Sequence, residues 1–450
     1  GALGKGGQGL FALDITDPKG TKVGYPSFDE SDASDLVLWE FSDADDADMG
    51  YSYGDPVIVR MNNGKWAAIF ANGYNNTNSD GNVSSTGNAV LYIVDIETGD
   101  IIRKLDTGVG VADDPLTLSR PNGLASPAVI DEDGDYIADA IYAGDLFGNL
   151  WKFDVSGATA ADWDVAFGTA ADPEPLFVAK DDAGNRLPIT SRPSVGSHPA
   201  AAIAPDDVLV YFGTGKYIES NDNDPDGQDT QAFFAIWDDG TKVPGRSDLL
   251  EQSIIGEASN GEFDFRFTTE NEIRWEPEDQ DDDPATEDLP AHRGWFIDLV
   301  NTQDGNTDNK GERVVFEPII RNDRVIFTTL IPSLDECAAG GSGWLMELSA
   351  ISGARLPESP FDINDDGVFN DADLVDFDDK ELPASGIRTG GGDDGGSGIP
   401  TPPAILDDPE CPNGVCSERK FTGTSKATIE SIRESSSPSS QGRQNWREVN

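Results

Sequence analysis

Four carboxylates in the first third of the chain have a spacing suited to a hard cation. They occupy positions 1, 3, 5 and 9 of one short segment and are Asp131, Asp133, Asp135 and Asp139. Calcium loops of the EF type take oxygen ligands from these positions and from the main-chain carbonyl at position 7, which belongs to Ile137 here. The spacing therefore predicts a Ca²⁺ site in residues 131–139, the Asp131 loop.

The sixth position of the Asp131 loop departs from the EF pattern. EF-type loops place glycine there, because the sharp turn needs a residue that tolerates positive φ. This chain has Tyr136 at position 6 and Gly134 at position 4. A bulky residue with positive φ is strained. Either Tyr136 is strained, or the loop turns differently from an EF loop.

A second segment, residues 362–373, fits the calcium-loop template over its full length, and we name it the Asp362 loop. It has Gly367 at position 6 and an aspartate at position 12, where glutamate is usual, which resembles dockerin-type loops. The template predicts a second Ca²⁺ site. Its predicted ligands are the side chains of Asp362, Asn364, Asp366, Asn370 and Asp373 and the carbonyl of Val368.

Short apolar runs flank the Asp131 loop and must position it. Residues 128–130 enter the loop and residues 140–143 leave it, and both runs are apolar. Runs of this length and composition are typical of β-strands. We therefore expect two strands, rather than two helices, to hold the carboxylates.

A strand pattern recurs along the chain: a small residue, an aromatic-bearing strand and a terminal acid. A proline-led strand and a further strand follow most copies. Repeated small sheets of this kind predict an all-β fold, a β-propeller with long inserted loops and calcium loops. The irregular spacing allows six, seven or eight blades, and we expect seven. The copies lie at residues 9–14, 90–95, 148–154, 232–238, 294–298 and 343–347.

Composition suggests four regions. Residues 1–357 are assigned to propeller blades, and residues 358–384 to an EF-hand or dockerin-like insertion that carries the Asp362 loop. Residues 385–418 are rich in glycine and proline and are expected to be a connector. Residues 419–450 are expected to supply C-terminal strands that complete the propeller, in a blade begun near the N-terminus.

Cysteine and histidine are scarce. Cys411 and Cys416 flank a turn and could close a small disulfide loop, while Cys337 could be free or could pair with either of them. Two histidines leave little scope for histidine-based catalysis or a histidine metal site. No nucleophile elbow, P-loop or dinucleotide fingerprint occurs between a strand and a helix. We therefore expect a protein that is not an enzyme.

The charge balance limits the possible partners. The chain has 84 acidic and 31 basic residues and a formal net charge of −53. This charge repels phosphate backbones and anionic lipid surfaces, so we expect no nucleic-acid partner. No apolar run approaches the ~18 residues of a membrane-spanning helix, and we expect no membrane insertion by this chain. The first residues lack an apolar signal core, which suggests a fragment of a longer exported protein.

Several motifs resemble one known family. They are GGQGLFALD at 6–14, ANGYN at 71–75, IYAGDLFGNLWKFD at 141–154, FGTGKY at 212–217, RVIFTTLIPS at 324–333, GWLMEL at 343–348 and GRQNWR at 442–447. With these motifs the chain closely resembles the C-terminal propeller of the PilC/PilY family of type IV pilus biogenesis factors and tip adhesins. The resemblance extends from the first residues to the last.

The resemblance implies a modified, quinoprotein-like propeller on an exported protein. Export would pass through the periplasm and outer membrane to the cell surface or pilus tip. The partners it implies are the minor pilins of the tip complex and a surface receptor that the sequence does not identify. In this family a loop at residues 131–139 binds calcium and regulates pilus extension against retraction, and with it twitching motility and attachment. The Arg-Gly-Asp motif of some members is absent here.

Two other functions share the predicted fold. Quinoprotein-type dehydrogenases combine a propeller with a calcium site, but they commonly seat the quinone beside a vicinal disulfide. This chain has no adjacent pair of cysteines. A secreted carbohydrate-binding propeller is the other alternative.

Overall fold

The computed structural model describes residues 4–78, 81–199, 207–278, 289–305, 309–335, 339–389, 398–408 and 417–436. Within these residues, regular structure consists mainly of short β-strands, as the all-β prediction requires. Two compact units divide the chain at Gly1–Leu176 and Phe177–Asn450. The Asp131 loop lies in the first unit and the Asp362 loop in the second.

The first unit contains twelve strands within its described residues. They are β1 Gly9–Leu13, β2 Val37–Ser42, β3 Val57–Arg60, β4 Trp66–Ala71, β5 Val90–Asp95, β6 Ile101–Asp106, β7 Ala128–Ile130, β8 Ala140–Gly144, β9 Asn149–Asp154, β10 Asp164–Val165, β11 Phe167–Thr169 and β12 Asp172–Glu174. A single-turn α-helix covers Ala33–Leu36, and short 3₁₀ turns cover Gly4–Gly6, Glu30–Asp32, Val111–Asp113 and Ala160–Asp162.

Two antiparallel four-strand arrays form the centre of the first unit. Strands β3 to β6 pair in chain order, and β7 to β10 do the same. Every residue of the inner strand β5 is buried, whereas the edge strand β3 alternates between partly buried and exposed residues. A strand buried on both faces needs a packed layer on each side. The two arrays share one apolar cluster that includes Ile93, Trp151 and Phe153.

The two-stranded sheet β1–β2 covers the other face of the β3–β6 array. Leu10 and Phe41 are paired in register and pack with Phe70 and Tyr92. Phe41 and Phe70 meet edge to face, with ring centroids 5.2 Å apart. The first unit is therefore a stack of antiparallel sheets with apolar side chains between them, which is the packing expected of propeller blades.

The second unit contains eighteen strands within its described residues. They are β13 Phe177–Val178, β14 Ser194–Ser197, β15 Val208–Gly213, β16 Ala232–Asp238, β17 Leu250–Ser259, β18 Phe263–Thr268, β19 Gly294–Asn301, β20 Ile319–Arg321, β21 Arg324–Thr328, β22 Ile331–Pro332, β23 Gly341–Ser342, β24 Leu345–Ser349, β25 Val375–Phe377, β26 Lys380–Leu382, β27 Gly386–Thr389, β28 Ala404–Asp407, β29 Ser417–Gly423 and β30 Ile429–Ser435. Short 3₁₀ turns cover Ser220–Asn223, Arg246–Asp248, Gln303–Gly305 and Asp371–Asp373.

A ten-stranded sheet dominates the second unit, in the order β14-β15-β16-β19-β17-β18-β27-β24-β21-β20. Its two ends are antiparallel four-strand arrays, β14-β15-β16-β19 and β27-β24-β21-β20. The hairpin of β17 and β18 joins them, with β17 running parallel to β19. Phe233 and Phe327, one from each array, stack with ring centroids 4.1 Å apart. Apolar packing between the arrays therefore repeats the arrangement of the first unit.

The predicted connector at residues 385–418 is wrong in part. Strand β27 lies within this segment and pairs with both β18 and β24, in the interior of the ten-stranded sheet. Gly386 allows this close pairing, because a Cβ there would lie 2.4 Å from the sulfur of Met346. Strand β28 also lies within the segment. Cys337, Cys411 and Cys416 fall outside the described residues, so the disulfide loop stays a prediction.

In the part of the chain that the structure describes, β28, β29 and β30 form a sheet of their own, which we name the C-terminal sheet. Residues 437–450 lie outside the described residues, so completion of the propeller by residues 419–450 stays a prediction. Fully buried Lys420 on β29 lies 2.6 Å from Glu347 on β24 and also contacts Glu434. Because a buried ammonium needs buried counter-ions, this contact fixes the sheet within the second unit. The expected blade number of seven stays a prediction.

Candidate metal centre

The Asp131 loop connects two adjacent antiparallel strands, as predicted. Ile130, the last residue of β7, lies opposite Ala140, the first residue of β8. The N–H of Asp139 donates to the carbonyl of Ile130 at 2.8 Å. This bond closes the base of the loop, so the carboxylates at its two ends are brought together by sheet pairing.

Three of the predicted ligands form a compact carboxylate cluster. Oxygens of Asp131, Asp133 and Asp139 all lie within 4.8 Å of one another. This span is about twice a typical Ca²⁺–oxygen distance of 2.3–2.6 Å, so one ion could contact all three groups. Asp131 is buried, Asp139 is half-buried and Asp133 is exposed. The cluster can therefore receive a cation from solvent and hold it against the sheet.

Backbone N–H groups orient the carboxylate of Asp131. Its Oδ1 accepts from the N–H of Gly134 and of Asp135, and its Oδ2 accepts from the N–H of Tyr136 at 2.6 Å. Asp133 accepts from the N–H of Asp135 at 3.1 Å. These bonds wrap the main chain around the first ligand, which is how EF-type loops are built.

The remaining two predicted ligands lie in the same loop but outside the three-carboxylate cluster. Asp135 is exposed, and its Oδ1 accepts from the N–H of Ile137 at 2.8 Å. Ile137 is partly buried and precedes the end of the loop. The structure therefore gathers Asp131, Asp133 and Asp139, and leaves Asp135 and the Ile137 carbonyl as predicted ligands.

Asp139 is held by a residue that belongs to no sequence motif. Asn62, in the turn between β3 and β4, donates from Nδ2 to the Ala138 carbonyl at 3.0 Å and to Asp139 Oδ1 at 3.4 Å. The N–H of Glu132 donates to Asp139 Oδ2 at 2.9 Å. Burial raises the pKa of Asp139, and the nearby carboxylates of Asp133 and Asp131 also raise it. A divalent cation bound beside Asp139 would act in the opposite direction, because it favours the charged form of the carboxylate.

The backbone resolves the question of Tyr136. Its φ is 69°, and that of Gly134 is 82°. The loop therefore turns as an EF-type loop does, and Tyr136 adopts the left-handed conformation. For a residue with a Cβ this conformation costs about 1–2 kcal/mol. The strained alternative is the one that the structure shows.

The Asp362 loop has the same internal geometry. The N–H groups of Asp366 and Gly367 donate to the two oxygens of Asp362 at 3.1 and 2.9 Å. Positions 4 and 6, Asp365 and Gly367, have φ of 53° and 77°. Asp373 accepts from the N–H at position 2, as Asp139 does in the Asp131 loop. The two loops therefore share one design, in which the glycine has moved from position 4 to position 6.

The side chains of the Asp362 loop are arranged differently. Among the described residues, its carboxylates do not form a cluster like that of the Asp131 loop. Asn364 accepts from the N–H of Asp366 at 2.9 Å, whereas Asn370 accepts from the N–H of Ala372 at 2.8 Å and caps a 3₁₀ turn. The N–H of Val368 donates to Asp366 at 2.8 Å. Burial raises the pKa of Asp373, and Asp362 and Asp366 add to the effect.

An arginine from the C-terminal sheet faces the first ligand of the Asp362 loop. The Nη1 of Arg433 lies 3.3 Å from Asp362 Oδ2 and 3.4 Å from Asp365 Oδ1. Sequence reasoning missed this contact because Arg433 lies 71 residues from Asp362.

No helix in the described residues is long and apolar enough to span a bilayer.

Three comparisons relate this chain to known proteins. A family model described as the PilY1 β-propeller domain matches residues 1–256. A type IV pilus biogenesis factor PilY1 homolog of Xylella fastidiosa is 39% identical over 359 residues, covering 78% of this chain. The type IV pilus biogenesis factor PilY1 of Pseudomonas aeruginosa is 32% identical over 482 residues, covering 100% of this chain.

A solved structure supports the same relationship. The crystal structure of the Pseudomonas aeruginosa PilY1 C-terminal domain matches with a TM-score of 0.71 and 28% identity, covering 96% of this chain and 79% of that domain. The prediction of a modified, all-β propeller is thereby confirmed. This chain spans 21% and 35% of the length of the Xylella and Pseudomonas relatives. Because the family model covers more than half of its residues, the chain belongs to the PilY1 β-propeller family.

Proposed function

We propose that this chain is a calcium-binding propeller of a type IV pilus-associated protein. In this proposal it supports pilus assembly, regulates extension and retraction, and contributes to surface adhesion. The observation that carries the proposal is the convergence of Asp131, Asp133 and Asp139 within 4.8 Å of one another, in a chain that belongs to the PilY1 β-propeller family.

The residues of the Asp131 loop fit a calcium ion by charge and by position. Asp131, Asp133 and Asp139 would supply carboxylate oxygens, with Asp135 and the Ile137 carbonyl completing the set. When bound, the ion would neutralise carboxylates that otherwise repel one another across a short distance. Asn62 and the strand pairing at the loop base hold Asp139 in position. Loop order should therefore depend on the ion, while the strands on either side should not.

Calorimetric titration of the purified chain tests the cation site. We expect Ca²⁺ to bind, and we expect Asp133→Asn to remove binding by the Asp131 loop. Glu132→Gln is the matched control, because Glu132 lies in the same loop but points to Lys152, 3.4 Å away. It removes one negative charge and no predicted ligand. Equal loss of binding in both variants would show that overall charge, and not ligand geometry, explains the effect.

Thermal unfolding gives an independent measure. A ligand present at 100 times its Kd adds about 2.7 kcal/mol to the free energy of unfolding. We therefore expect excess chelator to lower the Tm of the wild-type chain and to have a smaller effect on Asp133→Asn. A wild-type Tm that does not respond to chelator or to added Ca²⁺ would contradict the proposed site.

The pilus role is tested in the organism that carries the gene. The Asp133→Asn and Glu132→Gln substitutions are introduced into the full-length protein, and surface pili, twitching motility and attachment are scored. We expect altered motility and attachment in the first strain and wild-type behaviour in the second. Wild-type piliation, motility and attachment after deletion of the gene would contradict the whole assignment.

Location and partners belong to the same proposal. We place the protein at the cell surface or pilus tip after export through the periplasm and outer membrane, in contact with minor pilins. Cross-linking on intact cells followed by purification of sheared pili measures both. Recovery of the protein only in the cytoplasmic fraction would contradict the location.

We propose no catalytic activity for this chain, since the relatives are named as pilus biogenesis factors. A quinoprotein-type dehydrogenase would carry a quinone that absorbs visible light. Stoichiometric quinone in the chain purified from its natural host would contradict the non-enzymatic proposal.

A further inference from the structure

Arg433 places a fixed positive charge beside the Asp362 loop. Its Nη1 lies 3.3 Å from Oδ2 of Asp362, the ligand at position 1. The side chain of Asp362 is fully buried, and that of Arg433 is 23% exposed. The same guanidinium lies 3.4 Å from Asp365 and 3.7 Å from Asp408. The carboxylate at the start of the loop therefore already has a cationic neighbour.

Backbone pairing holds this arginine in place. The N–H of Asp362 donates to the Arg433 carbonyl at 3.0 Å, and Phe361 forms a β-bridge with Glu434. The first residue of the loop is thus hydrogen-bonded to the main chain of β30. Because the two backbones are paired at this point, the Arg433 guanidinium is held within reach of the Asp362 carboxylate.

The Asp131 loop has a different electrostatic arrangement. The nearby ammonium of Lys152 lies 3.4 Å from Glu132, which occupies position 2 and is not a predicted ligand. Three carboxylates gather there within 4.8 Å. In the Asp362 loop, by contrast, a guanidinium contacts a predicted ligand directly. A divalent ion approaching a buried carboxylate that is already paired gains less attraction and meets repulsion from the guanidinium.

We propose that Arg433 is a built-in counter-ion that sets the Asp362 loop as the weaker of two calcium sites. The inference rests on the proposed calcium function. The Asp131 loop fills first, and the Asp362 loop responds only at higher calcium concentration. The chain would then bind calcium in two concentration ranges, and Arg433 would set the upper one.

Coupling between the ion and the C-terminal sheet follows from the same contact. Coupling between two sites is reciprocal. If Arg433 weakens ion binding, the bound ion weakens the hold of Asp362 on Arg433, and through it on β30. Calcium at the Asp362 loop should therefore increase hydrogen exchange in β30 relative to the calcium-free chain.

Calcium titration of the full chain tests the inference. The background is Asp133→Asn, so that the Asp131 loop does not contribute. In this background we expect Arg433→Gln to raise the affinity of the Asp362 loop about tenfold, because a charge in contact with the first ligand is removed. Arg433→Lys keeps the charge and should keep the weak affinity. Arg419→Gln is the matched control, since the Arg419 guanidinium lies 3.4 Å from exposed Asp365, and it should change affinity less than about twofold.

A second uncharged variant guards against loss of folding. Arg433→Met keeps an unbranched aliphatic stem at this position, and it should raise affinity as Arg433→Gln does. Both variants are checked for wild-type near-ultraviolet circular dichroism before titration. The variant that retains this spectrum is the one whose affinity is compared.

Two outcomes would overturn the inference in different ways. A measurable Asp362 site whose affinity is the same with and without the Arg433 charge would refute the role of Arg433 and leave the proposed calcium function intact. The second outcome is that the Asp362 loop binds no Ca²⁺ in Asp133→Asn and also binds none when Arg433→Gln or Arg433→Met is combined with Asp133→Asn. This result would refute both the inference and the second calcium site. Titration of the wild-type chain tests the calcium site of the Asp131 loop separately.

Discussion

Replacing Tyr136 with glycine should tighten calcium binding by the Asp131 loop. Tyr136 has φ of 69° and a side chain that is 63% exposed, so its removal should cost little packing. A residue with a Cβ costs about 1–2 kcal/mol in this conformation. Glycine loses more chain entropy when the loop becomes ordered, and this cost offsets about 0.5–1 kcal/mol of the relieved strain. The net gain of about 1 kcal/mol corresponds to roughly a fivefold lower Kd.

Position 4 of the same loop provides a control with the opposite sign. Gly134 has φ of 82°, and a Cβ added there meets no atom within 4 Å. Gly134→Ala therefore adds strain without a steric clash, and it should raise Kd by roughly fivefold for the same energetic reason. The matched pair separates backbone strain from any general effect of changing the loop sequence.

Calorimetry and thermal melting at fixed ionic strength would measure the pair. In a folding unit of about this size, 1 kcal/mol shifts the Tm by about 2–4 °C, and the calcium-loaded Tm should rise for Tyr136→Gly and fall for Gly134→Ala. A Tyr136→Gly chain whose Kd stays within twofold of wild type, while Gly134→Ala weakens binding, would show that Tyr136 carries no strain.

Three further predictions concern single groups. Calcium affinity should fall as pH is lowered through the raised pKa of Asp139, because a protonated carboxyl is a poor ligand. Without calcium, the free energy of unfolding should decrease as pH rises through the same range, because the raised pKa means that the folded state binds the proton more tightly than the unfolded state does. Titrations and melts between about pH 4 and 7 measure both. Asp145→Ala should lower the free energy of unfolding by about 3 kcal/mol or more, because Trp151 Nε1 and other buried donors lose their acceptor. Lys420→Met should lower it by about 3–5 kcal/mol, because Glu347 is left buried without that counter-ion. Urea unfolding measures both losses.

Controls for these substitutions are available at exposed positions on other strands. Asp154→Ala removes an exposed carboxylate at the end of β9, and Lys380→Met removes an exposed ammonium on β26. Each should change the free energy of unfolding by less than about 1 kcal/mol. Losses as large as those of the buried variants would mean that burial does not explain them. An affinity for calcium that is flat with pH would contradict the role given to Asp139.

Local features of the site could be predicted from the sequence, because they depend on neighbours along the chain. The spacing of Asp131, Asp133 and Asp139 and the two flanking apolar runs led to a strand–loop–strand site, which the structure contains. The conformation of Tyr136 could not be decided, because both alternatives obeyed the local rules. The φ of 69° settles it.

Long-range features could not be predicted. Asn62 reaches Ala138 over 76 positions, and Arg433 reaches Asp362 over 71. Neither residue belongs to a motif, so no spacing rule selects it. The assignment of residues 385–418 to a connector failed for a related reason. Glycine and proline there suggested flexibility, whereas Gly386 instead allows β27 to approach β24 closely within the large sheet.

The exchange of glycine between positions 4 and 6 has a consequence for finding such loops in genomes. A pattern that demands glycine at position 6 detects the Asp362 loop and passes over the Asp131 loop. Both loops share two left-handed residues separated by one ordinary residue. A search written for that backbone, with glycine allowed at either position, would find both. A search with glycine fixed at position 6 therefore undercounts loops of the Asp131 type.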